Sequence, residues 1–398
     1  MTSLFRILTG DGFRIFFLAG ALFALFSMIA WATWLGVHAA GGMVIRTPFA
    51  AAPHHWHAHE MIFGYAGAVL GGFFLTAVPS WTGAPAARRG YLSLAAAVWL
   101  AGRLAVLWSN ALDPWLVAAV DLAFLPFLAA KIAAQLARRP KPQNLMLAGL
   151  LALVWSGNLL VHLDWTGVIR DGVAPGLRTG LLGVAAIIAV IGGRIVPAFT
   201  RNAMARSGRE TGLPLSRRPL DIAGIASAIL LPVAILADAP EPLVGLLALA
   251  AGLAQTARLA GWRSGWTVGQ PLLWSLHLGF AMLGAGYLAL AASAFGAFSE
   301  VAALHILGIG AVGGMTLAVM SRAMLGHLGR PLVAPRGMAA AYAAIAAAAL
   351  LRAAGSLGGI AGYHGAVLGS AALWIAGFAI FLWLYGPLFL APRGPHPA

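Results

Sequence analysis

The sequence predicts an all-α, polytopic membrane protein with about twelve transmembrane helices, and three observations predict it. Of the 398 residues, 61% are hydrophobic and 9% are charged, whereas about a quarter of the residues in a soluble domain are charged. The apolar runs are about 20 residues long, which lets a helix cross a hydrocarbon core of roughly 30 Å. The 25 Lys and Arg residues are scattered among short loops. Because they form no basic patch, no nucleic-acid partner is expected.

Twelve apolar runs define the predicted spans, and together they form a single transmembrane domain over 1–398. Helices are expected throughout because lipid satisfies no backbone polar group. The predicted spans are 13–38, 58–80, 91–110, 114–134, 144–163, 177–199, 219–237, 242–262, 270–292, 298–323, 338–356 and 363–389.

Positive charge alternates from loop to loop and sets the orientation. The loops after the even-numbered spans, together with the N-terminal segment, carry most of the cations, while the intervening loops carry most of the acids. The positive-inside rule therefore places both termini in the cytoplasm. The first span is too long for a signal peptide and is expected to stay in the membrane.

Glycine pairs indicate an internal repeat. Gly71-Gly72, Gly192-Gly193 and Gly313-Gly314 fall on predicted spans 2, 6 and 10, and neighbouring pairs are 121 residues apart. This spacing is typical of three repeated four-helix units. Chance is the alternative, because the chain has 50 glycines.

The chain contains no cysteine. Disulfides, thiolate ligands, iron–sulfur clusters and covalent haem attachment through a C-x-x-C-H motif are therefore excluded. Any bound metal must use His, Met or carboxylate ligands.

Four of the 11 histidines lie in PHHWHAHE, residues 53–60. At about 100° per residue, His57 and Glu60 share a helix face with glycines 64, 67 and 71, while His59 points to a different cavity. A glycine face admits a flat macrocycle such as haem, or another helix. His54 and His55 are expected to precede the helix as copper ligands in a loop. All four histidines, 54, 55, 57 and 59, are candidate metal ligands. The alternative is that they lie at the membrane interface with their ring nitrogens in contact with water.

Histidines within the spans are also candidates, because burying an imidazole is costly unless it is bonded or ligated. His305 is a candidate haem or metal ligand and His277 a candidate haem ligand. For both, a helix-to-helix hydrogen bond is the alternative. His38, His162 and His364 are predicted to be interfacial.

Charged residues near the spans have candidate roles as well. Arg194, Arg201 and Arg322 could bind haem propionates in bidentate geometry, or mark the cytoplasmic boundary. Glu60 and Glu300 are candidate catalytic acids that relay protons or orient an imidazole.

Three further polar residues are predicted to be bonded inside the bundle. Arg103 and Asp121 lie at matching depth on adjacent spans and are expected to form a structural ion pair. Asn158 is expected to form a hydrogen bond to a neighbouring helix.

Three stretches resemble the signature of the NnrS family. They are WHAHEM (56–61) continuing to LTAVPSWTG (75–83), then GRIVPAFTRN (193–202) and VMSRAMLGHLGRPL (319–332). The resemblance covers the whole chain and implies a bacterial inner-membrane protein of nitric oxide metabolism and nitrosative stress, with one or two haem b groups and copper. It also implies a cofactor role for His327. Leu328 stands where a Thr is expected, which puts in doubt a side-chain hydrogen bond beside His327.

The chemistry of nitric oxide agrees with this reading. The gas is small, neutral and lipid-soluble, and iron or copper binds it well. We therefore expect an oxidoreductase of the nitric oxide reductase type at an outer-leaflet haem or metal site, with quinol as a candidate electron donor. A haem or copper protein that binds nitric oxide without turnover, as sink or sensor, is the first alternative. A secondary transporter is the second, and only the number of spans favours it.

Overall fold

The computed structural model describes residues 3–138, 142–358 and 360–393, and this part of the chain is helical without β-strands. Within these residues, twelve helices are long and apolar enough to cross a membrane, which confirms the predicted fold class. They are α1 (Gly12–Ala39), α2 (Pro53–Thr82), α3 (Arg89–Leu107), α4 (Pro114–Leu136), α5 (Leu145–Trp165), α6 (Val173–Arg206), α7 (Arg218–Leu236), α8 (Glu241–Ala260), α9 (Pro271–Ala294), α10 (Glu300–His327), α11 (Met338–Leu357) and α12 (Gly362–Phe389).

Local sequence signals set several helix ends. Asp113 precedes α4, and its carboxylate accepts hydrogen bonds from the backbone N–H groups of Trp115 (2.9 Å) and Leu116 (3.2 Å). A side-chain oxygen at this position satisfies N–H groups that have no partner within the helix. Gly83 ends α2 in the left-handed conformation, with φ of 67°, which glycine adopts without steric cost.

Three helices are longer than the sequence predicted. α2 begins at Pro53, so the expectation that His54 and His55 lie in a loop before the helix is wrong. Proline suits the first helical turn because its fixed φ is helical and its missing N–H has no partner there. α6 and α10 likewise extend past Arg201 and Arg322, which lie inside helices instead of at their ends.

In the part of the chain that the structure describes, two π-helical segments interrupt the spans. Glu60–Ala66 lies in α2 and begins directly after His59. Ile306–Gly313 lies in α10 and begins directly after His305. Such segments occur frequently at functional sites. A uniform helical period does not predict them.

The chain divides into two compact units by its internal contacts. Unit 1 comprises Met1–Gly180, Ala323–Arg330 and Leu382–Ala398, and unit 2 comprises Leu181–Arg322 and Pro331–Phe381. α6 therefore contributes its first turns to unit 1 and the remainder to unit 2. The single-domain expectation stays a prediction.

The three helices with the glycine pairs are the most deeply buried. In their most apolar windows, 78% of the residues of α2, 83% of α6 and 72% of α10 are buried, against at most 61% in any other span. The glycines admit large rings: a Cβ on Gly72 would lie 2.6 Å from Phe17, and one on Gly313 would lie 2.4 Å from Trp374. The threefold repeat stays a prediction, which this pattern favours.

Candidate metal and proton site

Six polar side chains meet inside unit 1, drawn from α2, α3, α4 and α5. Each is at most 5% exposed. Charged groups at such depth are stable only when they are paired and hydrogen-bonded. The hydrogen-bond and ion-pair partners of each side chain therefore account for its burial. This set, named the His59 cluster, consists of His59, Glu60, Arg103, Asp121, Asn158 and His162.

Arg103 lies between the two carboxylates of the His59 cluster. Its Nη1 donates to Oε1 of Glu60 at 2.5 Å, and its Nη2 donates to Oδ1 of Asp121. The predicted Arg103–Asp121 pair is therefore confirmed, and Glu60 joins it. Close approach of the helices depends on glycine, because a Cβ on Gly64 would lie 2.9 Å from Nη1 of Arg103 and one on Gly102 would lie 2.9 Å from Oδ1 of Asp121.

His59 lies between hydrogen-bond acceptors on both sides of its ring. Its Nδ1 is 2.9 Å from Oε1 of Glu60, and its Nε2 is 2.8 Å from Oδ1 of Asn158. The amide of Asn158 is oriented by its own Nδ2, which donates to Oδ2 of Asp121 at 2.9 Å. Both ring nitrogens therefore face oxygen acceptors, and both contacts are satisfied when His59 is a protonated imidazolium. The expected hydrogen bond of Asn158 is confirmed.

The prediction that His59 and Glu60 point to different faces of the helix is wrong, because their side chains are in contact. The two are neighbours in sequence, and the glutamate side chain is long enough to turn back toward the imidazole. Arg103 holds the same Oε1 atom that accepts from His59. One cation and one imidazole therefore converge on a single carboxylate oxygen.

His162 is buried, so the expectation that it is interfacial is wrong. Its Nε2 lies 2.8 Å from Oδ2 of Asp121, and the ring of Trp165 covers it edge-on at 5.2 Å. Sequence reasoning missed this residue as part of a site. The signal that could have found it is its spacing from Asn158, since residues four apart on a helix share a face and Asp121 lies at the same depth.

Charge counting shows what the His59 cluster still requires. Two carboxylates oppose one guanidinium, so one negative charge remains, and either a proton on His59 or a bound cation can balance it. Oε2 of Glu60 is buried without a hydrogen-bond partner in the part of the chain that the structure describes. It is an open acceptor beside His59.

The donor atoms fit a metal ion. His59, Asp121 and His162 each offer one ligand atom, and these atoms all lie within 4.8 Å of one another. Imidazole and carboxylate ligands suit copper, iron or zinc. Binding would require His59 to release a proton, because a ligating imidazole is neutral.

Comparison with protein families agrees with the motifs of the sequence. The profile of a family described as NnrS protein matches residues 7–393, which is nearly the whole chain. The chain belongs to the NnrS family. No curated protein matches it significantly. Membership in the NnrS family supports a role related to nitric oxide metabolism and the binding of metal and haem.

The glycine face of α2 is filled by phenyl rings in this NnrS family member. A Cβ on Gly64 would lie 2.5 Å from Phe23, and one on Gly71 would lie 3.2 Å from Phe124 and 3.4 Å from Phe16. The structure therefore supports helix packing, the alternative to a haem slot, at this face. The His59 cluster suits a metal ion better than a porphyrin.

The other histidines of the PHHWHAHE stretch lie outside the His59 cluster. His57 is half-buried and stacks on Trp31, with ring centroids 4.9 Å apart. His54 is exposed and His55 is half-buried, and their rings are 4.2 Å apart. Their roles as metal ligands stay predictions.

His305 is half-buried, and one of its ring nitrogens is bonded to its own helix. Its Nδ1 lies 2.6 Å from the carbonyl oxygen of Val301, one turn earlier in α10. A backbone bond at Nδ1 fixes the ring and leaves Nε2 for iron. Glu300, the first residue of α10, is half-buried.

The two remaining predicted haem ligands have protein partners. His277 lies between two hydroxyl groups, with Nε2 2.8 Å from Oγ1 of Thr200 and Nδ1 2.8 Å from Oγ of Ser264. Iron could bind it only if one of these bonds broke. His327 is half-buried and stacks on Phe13 at 5.5 Å.

The three candidate propionate partners differ in burial. Arg194 and Arg201 are exposed, and Arg201 donates to the carbonyl of Pro214 at 2.7 Å. Arg322 is buried, with its guanidinium 3.9 Å from the ring centroid of Phe199. Arg322 follows His305 by 17 residues, about 25 Å along a helix, so these two residues cannot hold the same haem.

Proposed function

We propose that this NnrS family member reduces nitric oxide to nitrous oxide in the membrane, at a metal held by His59, Asp121 and His162. The reaction is 2 NO + 2 H⁺ + 2 e⁻ → N₂O + H₂O, so the site must accept electrons and deliver protons. The observation that supports the proposal is the buried His59 cluster, in which candidate ligands adjoin a carboxylate with an open oxygen.

Burial of the His59 cluster is compatible with this substrate. Nitric oxide is neutral and dissolves in lipid, so it reaches a buried site without a polar channel. The three ligand residues lie toward the membrane face that the charge pattern predicts to be periplasmic. That position agrees with an outer-leaflet site.

The residues beside the metal have distinct roles in the proposal. When bound, iron or copper would supply affinity for nitric oxide and transfer electrons to it. Arg103 positions both carboxylates. Glu60 can accept a proton at its open oxygen Oε2, and its other oxygen, Oε1, contacts Nδ1 of His59. His305 is the residue best placed to hold haem b, since its Nε2 is left free by the bond to Val301.

Turnover by the purified full chain tests the proposal. The chain is reconstituted in lipid nanodiscs, its iron and copper are quantified, and nitrous oxide is measured after addition of nitric oxide and a chemical reductant. We expect nitrous oxide to form at one molecule per two molecules of nitric oxide. His162→Gln should lower the rate at least tenfold and lower the metal content. His364→Gln, at an exposed histidine, is the matched control and should change neither. Metal-loaded protein that forms no nitrous oxide would overturn the proposal.

A second function is binding of nitric oxide without turnover, as a sink or sensor. The observation that favours it is that a proton on His59 balances the charge of the cluster without any metal. In that case nitric oxide would change the visible spectrum of a bound haem, while nitrous oxide would not form.

A further inference from the structure

A cavity of about 390 Å³ lies beside His277 in unit 2, at the start of α9. Its volume is in the range of sites for small molecules. Most of its wall is apolar, contributed by Leu259, Val268, Trp274, Leu278 and Ala281. Val268, in the loop between α8 and α9, is 72% exposed, so the cavity, named the His277 pocket, opens beside this loop.

The polar part of the His277 pocket is a chain of oriented hydrogen bonds. Thr200 donates its hydroxyl hydrogen to the carbonyl of Val196 at 3.0 Å, so its oxygen accepts from Nε2 of His277. With its proton on Nε2, the neutral imidazole can only accept at Nδ1. The hydroxyl of Ser264 is the donor to that nitrogen, at 2.8 Å.

The hydroxyl of Thr267, also in the wall of the pocket, has its hydrogen in a hydrogen bond as well. Thr267 donates to the backbone carbonyl of Ser264 at 2.7 Å. The oxygens of Ser264 and Thr267 therefore retain lone pairs, while their hydrogens are already used. Thr267 is fully buried, so the oxygen of the half-buried Ser264 is the acceptor that the pocket offers to a ligand.

We propose that the His277 pocket binds a quinol, a ring with hydroxyl donors and an apolar tail. One of its hydroxyls can donate to the oxygen of Ser264, its ring matches the apolar wall with Trp274, and its tail can extend along the remaining apolar wall. A quinone has carbonyl acceptors in place of hydroxyls, so the pocket discriminates between the two redox forms.

A bound quinol would supply what the proposed reaction consumes. The balance is QH₂ + 2 NO → Q + N₂O + H₂O, in which the quinol loses two electrons and two protons and is oxidised to the quinone. This link to turnover rests on the proposed function. Binding of the quinol itself does not.

Equilibrium binding tests the proposal without nitric oxide. Decylubiquinol, decylubiquinone and the dimethyl ether of decylubiquinol are titrated anaerobically against the full chain in nanodiscs. We expect saturable binding of the quinol, with the quinone and the ether at least fivefold weaker, as loss of one net hydrogen bond implies. Equal affinity for quinol and ether would overturn the proposal and indicate a slot for acyl chains.

Two variants with matched controls locate the binding. Ser264→Ala should weaken quinol binding about fivefold, and Val268→Trp should abolish it by filling the mouth. Ser156→Ala, at a hydroxyl bonded to its own helix, and Val168→Trp, at another exposed valine, should leave it unchanged. Unchanged binding in Val268→Trp would refute the location. Because binding is read without turnover, quinol binding to a protein that makes no nitrous oxide would overturn the proposed function alone.

Discussion

Two buried arginines, one in each unit, have contrasting partners. Arg103 is 5% exposed and Arg258 is 4% exposed. Arg103 contacts two fully buried carboxylates, which in turn hold two imidazoles. Arg258 bonds to Asp221, whose side chain is 27% exposed. Its other acceptors are neutral: Oε1 of Gln255 at 2.6 Å and the carbonyl of Ala189 at 3.0 Å.

The difference separates a structural arginine from one in a candidate functional site. Around Arg258 the charges of one cation and one anion cancel, and the rings of Trp262 and Phe280 pack against the guanidinium at 5.7 Å. Around Arg103 the anions outnumber the guanidinium. Burial of surplus charge is costly, so the His59 cluster requires a further proton or metal ion, whereas the contacts of Arg258 are complete.

The largest effect is expected from Asp121→Asn. The change removes the carboxylate that accepts from His162 and Asn158. With His59 protonated it also leaves two cations, His59 and Arg103, against the single carboxylate of Glu60, so we expect a loss of about 3–5 kcal/mol in the free energy of unfolding. Equilibrium unfolding in nanodiscs measures it. Metal content should fall together with stability, and a variant as stable as the wild type would show that the cluster does not depend on this carboxylate.

A smaller effect is expected from Gly193→Ala. Its added Cβ would lie 1.8 Å from an Nη atom of Arg258, and the bonded guanidinium could move only by giving up partners. Overpacking of this kind costs about 1–3 kcal/mol, which the same unfolding measurement detects. Gly90→Ala is the control, because its Cβ would meet nothing within 4 Å. Equal stability of the two variants would mean that Arg258 is free to shift.

The smallest effect is expected from Asp221→Asn. Arg258 would keep its two neutral acceptors and its ring contacts, and Asp221 is partly exposed, so we expect about 1 kcal/mol or less. Haem and metal content should not change. If Asp221→Asn and Asp121→Asn cost the same in unfolding free energy, the contrast between the two arginines fails.

Much of the fold could be predicted from the sequence. Twelve spans follow from apolar length, because a lipid-facing helix must be apolar for the thickness of the bilayer. The Arg103–Asp121 pair follows from matching depth on adjacent helices. Each of these depends on distance along a helix, which the sequence specifies directly.

The full His59 cluster could not be predicted in the same way. His162 and Asn158 come from α5. The local sequence pattern does not specify which helices pack against one another. The face assignment of Glu60 assumed an unbroken α-helical period, whereas the backbone there is π-helical. Burial of His162 depends on an acceptor 41 residues away, a contact that only tertiary packing creates.

The π-helical segment Glu60–Ala66 makes the site sensitive to chain length. Hydrogen bonds in it span one residue more than in an α-helix, so the segment holds an additional residue within its turn. Deleting one residue there would restore regular α-helical winding and keep the remainder of α2 in nearly its present orientation, while the side chains within the segment would change direction. The effect would fall on the turn that carries Glu60 beside His59, whereas Gly71 would still face Phe16 and Phe124.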